Sequence, residues 1–283
     1  MKNRKEFPVK NLCKVMGISK AGFYEWAGRK EPDRTGANKL LLGEIIQIFN
    51  KSDETYGSPR IAYELKENGV ACSKSRVARV MQKTGLKAVA GRKYKPQTTD
   101  SKHSEPIAEN IVNQDFSSTS VGAKVGCDIT YIPTKEGFVY LAVVIDFYSR
   151  KVLGHALSDS LETPLICHAL MKAVATHALP SELLHHSDRG SQYASFRYRS
   201  LLKSLGIRQS MSRAGNCYDN SMVESFFHSL KVERVHRRFY HSKAIAKIDV
   251  DDYIKNWYNS SRRHSSIGML CPNDFINNQK KVA

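Results

Sequence analysis

Hydrophobic spacing changes period partway along the chain. Before residue 90, apolar positions recur at three- and four-residue intervals, as amphipathic helices require; from Lys124 they alternate or run together, as strands do. The early part holds two segments of one design: an apolar helix, a tight turn with a glycine, and a serine placed to cap a second helix. In the first, Val9, Leu12, Val15 and Met16 mark the helix, Gly17 and Ile18 the turn, Ser19 the cap, and Phe23, Tyr24 and Trp26 the next helix. In the second, Pro59 suits a helix start, Ile61 and Leu65 face inward, Asn68 and Gly69 turn the chain, and Ser73 caps a helix from Lys74 to Lys83. The pattern predicts two helix-turn-helix-like segments, at 1–30 and 31–90.

Residues 91–118 read as a linker. Their first part, GRKYKPQTTDSKHSEP, has almost no aliphatic side chains and cannot bury enough surface to offset ordering. Beyond it, KVGCDITYIPT (124–134), FVYLAVVIDF (138–147) and KVLGHAL (151–157) read as three strands joined by short turns, an antiparallel meander. Helical spacing follows over 161–178, then a short strand at 182–186, a helix around 196–205, a strand at 207–211, and helices at 220–236 and 242–259. Three antiparallel strands followed by alternating α and β predict an α/β domain over 119–283, a mixed sheet with helices on both faces.

Charge narrows the partner class. The 283 residues carry a formal charge of +17, which favours a polyanion, and residues 1–106 hold 22 Lys and Arg against 11 Asp and Glu. On the helix from Lys74 to Lys83, Val77, Val80 and Met81 take one side and leave Lys74, Arg76, Arg79 and Lys83 on the other. That is the form of a recognition helix and equally of an ordinary solvated basic face; the charge of the region favours double-stranded DNA. No apolar run approaches the roughly 18 residues of a membrane span, and the start MKNRKEFPVK lacks a signal's apolar stretch, so a cytoplasmic, nucleoid-associated protein is expected. The six cysteines stand at least 40 positions apart, without C-x-x-C pairs, which disfavours a zinc module or disulfide framework.

Three carboxylates in the second part sit where a charge is awkward unless used. Asp128 interrupts the first strand, Asp188 follows the strand LLHHS, and Glu224 lies one turn into a helix. If the first and fourth strands are neighbours, both aspartates meet at one sheet edge and the helix brings the glutamate over them. Three such groups repel unless a cation intervenes, and hard oxygen donors select Mg²⁺ or Mn²⁺. Two ions suit in-line displacement at phosphorus. Simpler readings stand beside this one: Ser221 and Glu224 form a Ser-x-x-Glu capping box, Asp188 is a turn residue beside Gly190, and Asp146 competes as a third acid but reads as a strand-to-turn residue near Ser149. Alternation sets His185 and His186 on opposite faces, so packing or DNA contact suits them better than a shared metal.

Five ordered segments, CDITYIPT, VYLAVVIDFYSRKVLGHAL, HHSDRGSQY, SMSRAGNCYDNSMVESFFHSLKVE and WYNSSRRHSSIGMLCPNDF, resemble the DDE transposases of the insertion-sequence IS-three family, product of the downstream reading frame. The resemblance extends to PVKNLCKVMGISKAGFYEW and YGSPRIAYELKENG, which match the helix-turn-helix modules of those proteins. It implies a ribonuclease-H-like core of the retroviral-integrase kind, with a five-stranded mixed sheet. It also implies a catalytic, metal-binding triad of Asp128, Asp188 and Glu224 with two Mg²⁺ or Mn²⁺ ions, and a DNA-binding Lys231 two turns beyond Glu224. Val125, Cys127 and Cys271 stand where Trp, Thr and Ser are frequent in the family; none of them is a carboxylate.

The implied activity is metal-dependent DNA cleavage and strand transfer at insertion-sequence ends. Holding two ends together calls for a homo-oligomer on DNA. Family members often gain an upstream-reading-frame segment by frameshifting; the start at Met1 leads to the expectation that this chain works with such a partner or as a regulator. The rival readings are a non-catalytic DNA-binding regulator and a ribonuclease acting on RNA–DNA hybrids, the latter having no use for two helix-turn-helix units.

Overall fold

A computed structural model describes residues 7–28, 33–89, 104–177, 179–180, 182–213 and 217–282. The chain forms two compact units, Met1–Lys87 and Ala88–Ala283.

The first unit is helical: α1 Val9–Met16, α2 Lys20–Gly28, α3 Asp33–Lys51, α4 Ser58–Glu67 and α5 Lys74–Thr84. Local chemistry sets its boundaries. α1 stops where Gly17 takes φ 65° and the Ile18 N–H returns to the Cys13 carbonyl at 3.1 Å. The Ser19 hydroxyl then accepts from the Gly22 N–H at 3.0 Å, and Ser73 accepts from the Arg76 N–H at 3.3 Å. Pro59 stands in the first turn of α4. Ile45 of α3, Ile61 and Leu65 of α4 and Val77 of α5 are wholly buried, each worth about 1.5–3 kcal/mol. The helical spacing of Leu41, Ile45, Ile48 and Phe49 belongs to α3, an element that the helix-turn-helix reading of 31–90 leaves out. In α1 and α2 the apolar markers mostly face outward: Val15 is 86% exposed and Met16 72%, and Cys13 is the buried residue.

The second unit is built on a five-stranded sheet in the order β3-β2-β1-β4-β5: β1 Lys124–Thr134, β2 Gly137–Asp146, β3 Val152–Ser158, β4 Leu184–Ser187 and β5 Arg208–Met211. The first three strands pair antiparallel as a meander, while β4 runs parallel to β1 and β5 parallel to β4. Helices α6 Thr163–Thr176, α7 Ser191–Ala194, α8 Phe196–Ser204, α9 Ser221–Glu233, α10 Lys243–Asp252 and α11 Pro272–Val282 complete the unit. Strand alternation divides the core in two. Val125 and Cys127 of β1 and Val144 of β2 pack with Leu165, Ala169 and Leu170 of α6 and Tyr198 of α8. Ile132 and Val143 point the other way, to Val223 and Phe226 of α9 and Val250 of α10. Gly154 of β3 admits α6, since a Cβ there would lie 2.3 Å from the Ala169 carbonyl oxygen.

Two stretches differ from their reading in the sequence. The linker expected over 91–118 falls outside the described residues up to 103; beyond that, residues 108–116 are strapped to the core. Ser210 Oγ takes the Ile111 and Val112 N–H groups at 3.0 and 3.3 Å, and Val112 is buried. The strap's few apolar side chains suffice because buried polar groups of the sheet unit bind its backbone. The helix expected over 242–259 is α10 followed by a π-helical turn, Tyr253–Tyr258, a form concentrated at functional sites.

Candidate active site

The parallel pairing of β1 with β4 runs Lys124 against Leu184 through Cys127 against Ser187. One step further in that register are Asp128 and Asp188, the latter just past the end of its strand. Asp128 pairs across the other side with Val143, so it occupies the sheet face that α9 covers. α9 reaches that face through Gly126: a Cβ there would stand 2.6 Å from Val223 Cγ2 and 2.7 Å from Phe147 Cε1. The glycine is a slot for Val223, and the residue after Val223 is Glu224.

The three acids act on one another's charge. Asp128 is half-buried, and its pKa is pushed well above the ordinary carboxylate range, first by burial, then by the Asp188 and Glu224 charges. The Ile129 N–H, which donates to Asp128 Oδ1 at 2.7 Å, and the Lys231 ammonium act against that rise. Asp188 Oδ1 accepts from the Gly190 N–H at 2.9 Å. Among the described residues, no three His, Cys, Asp or Glu side chains are gathered tightly enough to hold a metal ion as they stand. The two aspartates each turn an oxygen to a local backbone N–H group. The donor chemistry, three carboxylates and no soft ligand, suits a hard divalent cation.

Glu224 is not a capping residue. The N-cap of α9 is Asn220, whose side chain makes no capping bond, and Ser221 is already helical. Glu224 is therefore one residue too far along for a capping box, and it lies exposed in the first turn. Lys231 is half-buried rather than free: its ammonium lies over the Tyr131 ring, 5.0 Å from the centroid, and burial lowers its pKa while Asp128 raises it.

Asp146 is structural. Wholly buried, it takes the Gly122 N–H at 2.8 Å on one oxygen and the Ser149 N–H at 2.8 Å on the other. His185 and His186 are packing residues: His185 bonds the Tyr198 hydroxyl at 2.8 Å and His186 the Ser210 hydroxyl at 2.9 Å. Burial lowers their pKa values to about 3 and about 4. The sequence offered no sign of Asp219, a buried acid that receives Asn110, Gln114 and Arg213 at 2.8–3.0 Å. The Arg213 guanidinium holds that carboxyl below its usual range, and the cluster ties the 108–116 strap to the approach of α9. Gly126 did carry a signal, an isolated glycine within a strand.

On α5, Lys74, Arg79 and Lys83 are exposed. Arg76 is half-buried, and its Nε donates to Asn38 Oδ1 of α3 at 3.0 Å, so it serves the packing of the unit.

The Integrase core domain family matches residues 118–217, a second Integrase core domain description matches 205–272, and an HTH-like domain matches 37–94. The chain is 39% identical over 278 residues to Transposase InsF for insertion sequence IS3A of Escherichia coli (strain K12), covering 98% of this chain and 96% of that protein. It is 36% identical to the Insertion element IS600 uncharacterized 31 kDa protein of Shigella sonnei, over 96% of this chain and 100% of the relative. A solved catalytic core domain of BIV integrase shares 16% identity at a TM-score of 0.42, over 57% of this chain and 97% of that one.

Proposed function

Because the chain belongs to the IS3 family of transposases, we propose that Asp128, Asp188 and Glu224 are the acids on which it cuts and joins DNA strands at insertion-sequence ends. The chain is an enzyme of DNA transposition, with an integrase core and a helix-turn-helix-like DNA-binding region. The observation that carries the assignment of the acids is the parallel register of β1 with β4, which leads to Asp128 and Asp188 side by side, together with the slot at Gly126 that seats Val223, the residue before Glu224.

Bound by these three acids, divalent Mg²⁺ or Mn²⁺, two ions in this reading, would neutralise their repulsion, activate the attacking oxygen and offset charge at the scissile phosphate. The chain's own groups do the rest. The Ile129 N–H holds Oδ1 of Asp128 and the Gly190 N–H holds Oδ1 of Asp188, which fixes the orientation of both carboxylates at the sheet edge. Lys231 places a positive charge beside Asp128, suited to a DNA phosphate. Water first attacks phosphorus at the element's end and releases a 3′-hydroxyl; that hydroxyl attacks a second phosphodiester, expelling its 3′-oxygen. Each step exchanges one P–O bond for another, so no covalent protein intermediate and no Ser or Tyr nucleophile is needed.

Lys74, Arg79 and Lys83 of α5 are suited to phosphate and base contacts at the terminal repeats, with Arg76 orienting α5 through Asn38. Two ends must be held at once, so the working species is a homo-oligomer on DNA, with an upstream-frame protein as a further partner. Incubation of the chain with supercoiled plasmid and Mn²⁺ tests this reading. Nicked and joined products from the parent, and none from Asp188→Asn, are expected. Equal nicking by both removes Asp188 from the site, and a parent that binds ends without cutting favours the regulator.

A further inference from the structure

The motif WYNSSRRH resembles a family segment, yet the catalytic chemistry leaves it unused. It lies against the end of α9. Arg262, 6% exposed, sets its guanidinium on the Glu233 carboxylate, 8% exposed. Arg262 Nε reaches the two oxygens at 3.0 and 2.9 Å, and Nη2 reaches Oε1 at 2.7 Å. Nη2 also donates to Ser229 Oγ at 2.9 Å, one turn back on α9. Two more donors converge on Glu233 Oε2, the Tyr253 hydroxyl at 2.8 Å and the Trp257 indole at 3.4 Å. The segment is itself anchored to the sheet: Asn259 bonds the Val152 N–H and carbonyl with the two ends of its amide, both at 3.0 Å.

A buried ion pair is a weak stabiliser, because desolvation offsets its attraction, but a bidentate pair fixes geometry. With 3.6 residues per turn, Ser229 and Glu233 lie on the side of α9 opposite Glu224 and Lys231. The sheet-anchored segment therefore grips one side of the helix while the other presents the acid and the lysine. We propose that Arg262 is a positioning residue: by gripping Glu233 and Ser229 it sets the rotation of α9 about its axis, and with it the direction in which Glu224 and Lys231 face. The proposal rests on the reading of Glu224 as a triad acid.

The test compares the full chain with Arg262→Lys, which keeps the charge and loses the fork, and with Trp257→Phe, which removes one donor to Glu233. Turnover is measured at saturating plasmid DNA, at a temperature where circular dichroism shows each variant folded. Mn²⁺ binding, followed by loss of the free-ion paramagnetic resonance signal, gives a second readout that needs no turnover. Arg262→Lys is expected to lower turnover and Mn²⁺ affinity each by about 10- to 100-fold. The KM for DNA is expected to stay at the parental value, and Trp257→Phe moves the same two quantities less. A folded Arg262→Lys with parental turnover and parental Mn²⁺ binding overturns the proposal. If Arg262→Lys does not fold, Trp257→Phe decides on the same readouts. Glu224→Gln is run alongside: if it still cuts and binds Mn²⁺, the triad reading falls and takes this proposal with it. If Glu224→Gln is dead while Arg262→Lys is parental, the proposal falls alone.

Discussion

The two units handle charge in opposite ways. On α5 of the helical unit, Lys74, Arg79 and Lys83 stay in solvent. In the sheet unit the arginines that shape the architecture are taken up. Arg262 is buried on Glu233, and Arg234 bonds Asp249 at 3.1 Å and Asp252 at 2.6 Å. An exposed cation keeps its hydration and remains available to a polyanion, whereas a buried one must find a partner or unfold the protein. The same excess of Lys and Arg thus meets two physical settings, exposed on α5 in one unit and paired with buried acids in the other. Acids divide in a similar way within the sheet unit: Asp146 and Asp219 are saturated with donors, while Asp128 stands against other acids.

The separation is sharpest at the chemistry. Asp188→Asn is expected to cut strand cleavage by more than about a thousandfold while leaving the affinity for terminal-repeat DNA at the parental value. Gel-shift titration beside plasmid nicking checks it, and a parallel loss of affinity would merge the two roles. Replacing Lys74, Arg79 and Lys83 of α5 together by Ala should do the reverse. Affinity should fall with a salt slope reduced by about one per residue, and the thermal midpoint should hold. Binding isotherms at several salt concentrations measure this; an unchanged slope would place the DNA contacts elsewhere.

Gly126→Ala probes the approach of α9 to β1. The new Cβ would press on Val223 and Phe147, costing about 1–3 kcal/mol in urea denaturation, and cleavage should fall with DNA affinity kept. The last effect concerns pH. His185 is neutral in the fold, with its pKa lowered to about 3 by burial, against about 6.5 when unfolded. Its contribution to stability is complete above the unfolded value. Below it, down to about pH 3, the protein should lose about 1.4 kcal/mol per pH unit from this group, because the unfolded chain binds the proton and the fold does not. His185→Gln should flatten that part of the stability profile; an identical profile would mean that His185 takes up its proton in the fold.

How much of this was legible beforehand follows from the range of each interaction. Helix ends at Gly17, Ser19 and Ser73 were readable because caps act over three or four residues. The strands and their antiparallel start were readable because a two-residue alternation and short turns state them locally. The acids Asp128, Asp188 and Glu224 stood out as charges among apolar neighbours, and their order matched a known family. The strap at 108–116 was missed, since its partners Ser210 and Asp219 lie about a hundred positions away. For the same reason Arg76 was counted with its exposed neighbours: nothing in α5 says that Asn38 waits on α3.

The sequence by itself thus determined most of the helices and strands, their order, the excess of positive charge and which acids are candidates, all properties of residues or of short windows. Tertiary structure decided which charges are spent inside. It ruled out the capping box at Glu224, made a slot of Gly126, and set Arg262 on Glu233 across 29 positions of chain. Burial decides these matters, because the cost of an unpaired charge depends on what the rest of the chain brings beside it.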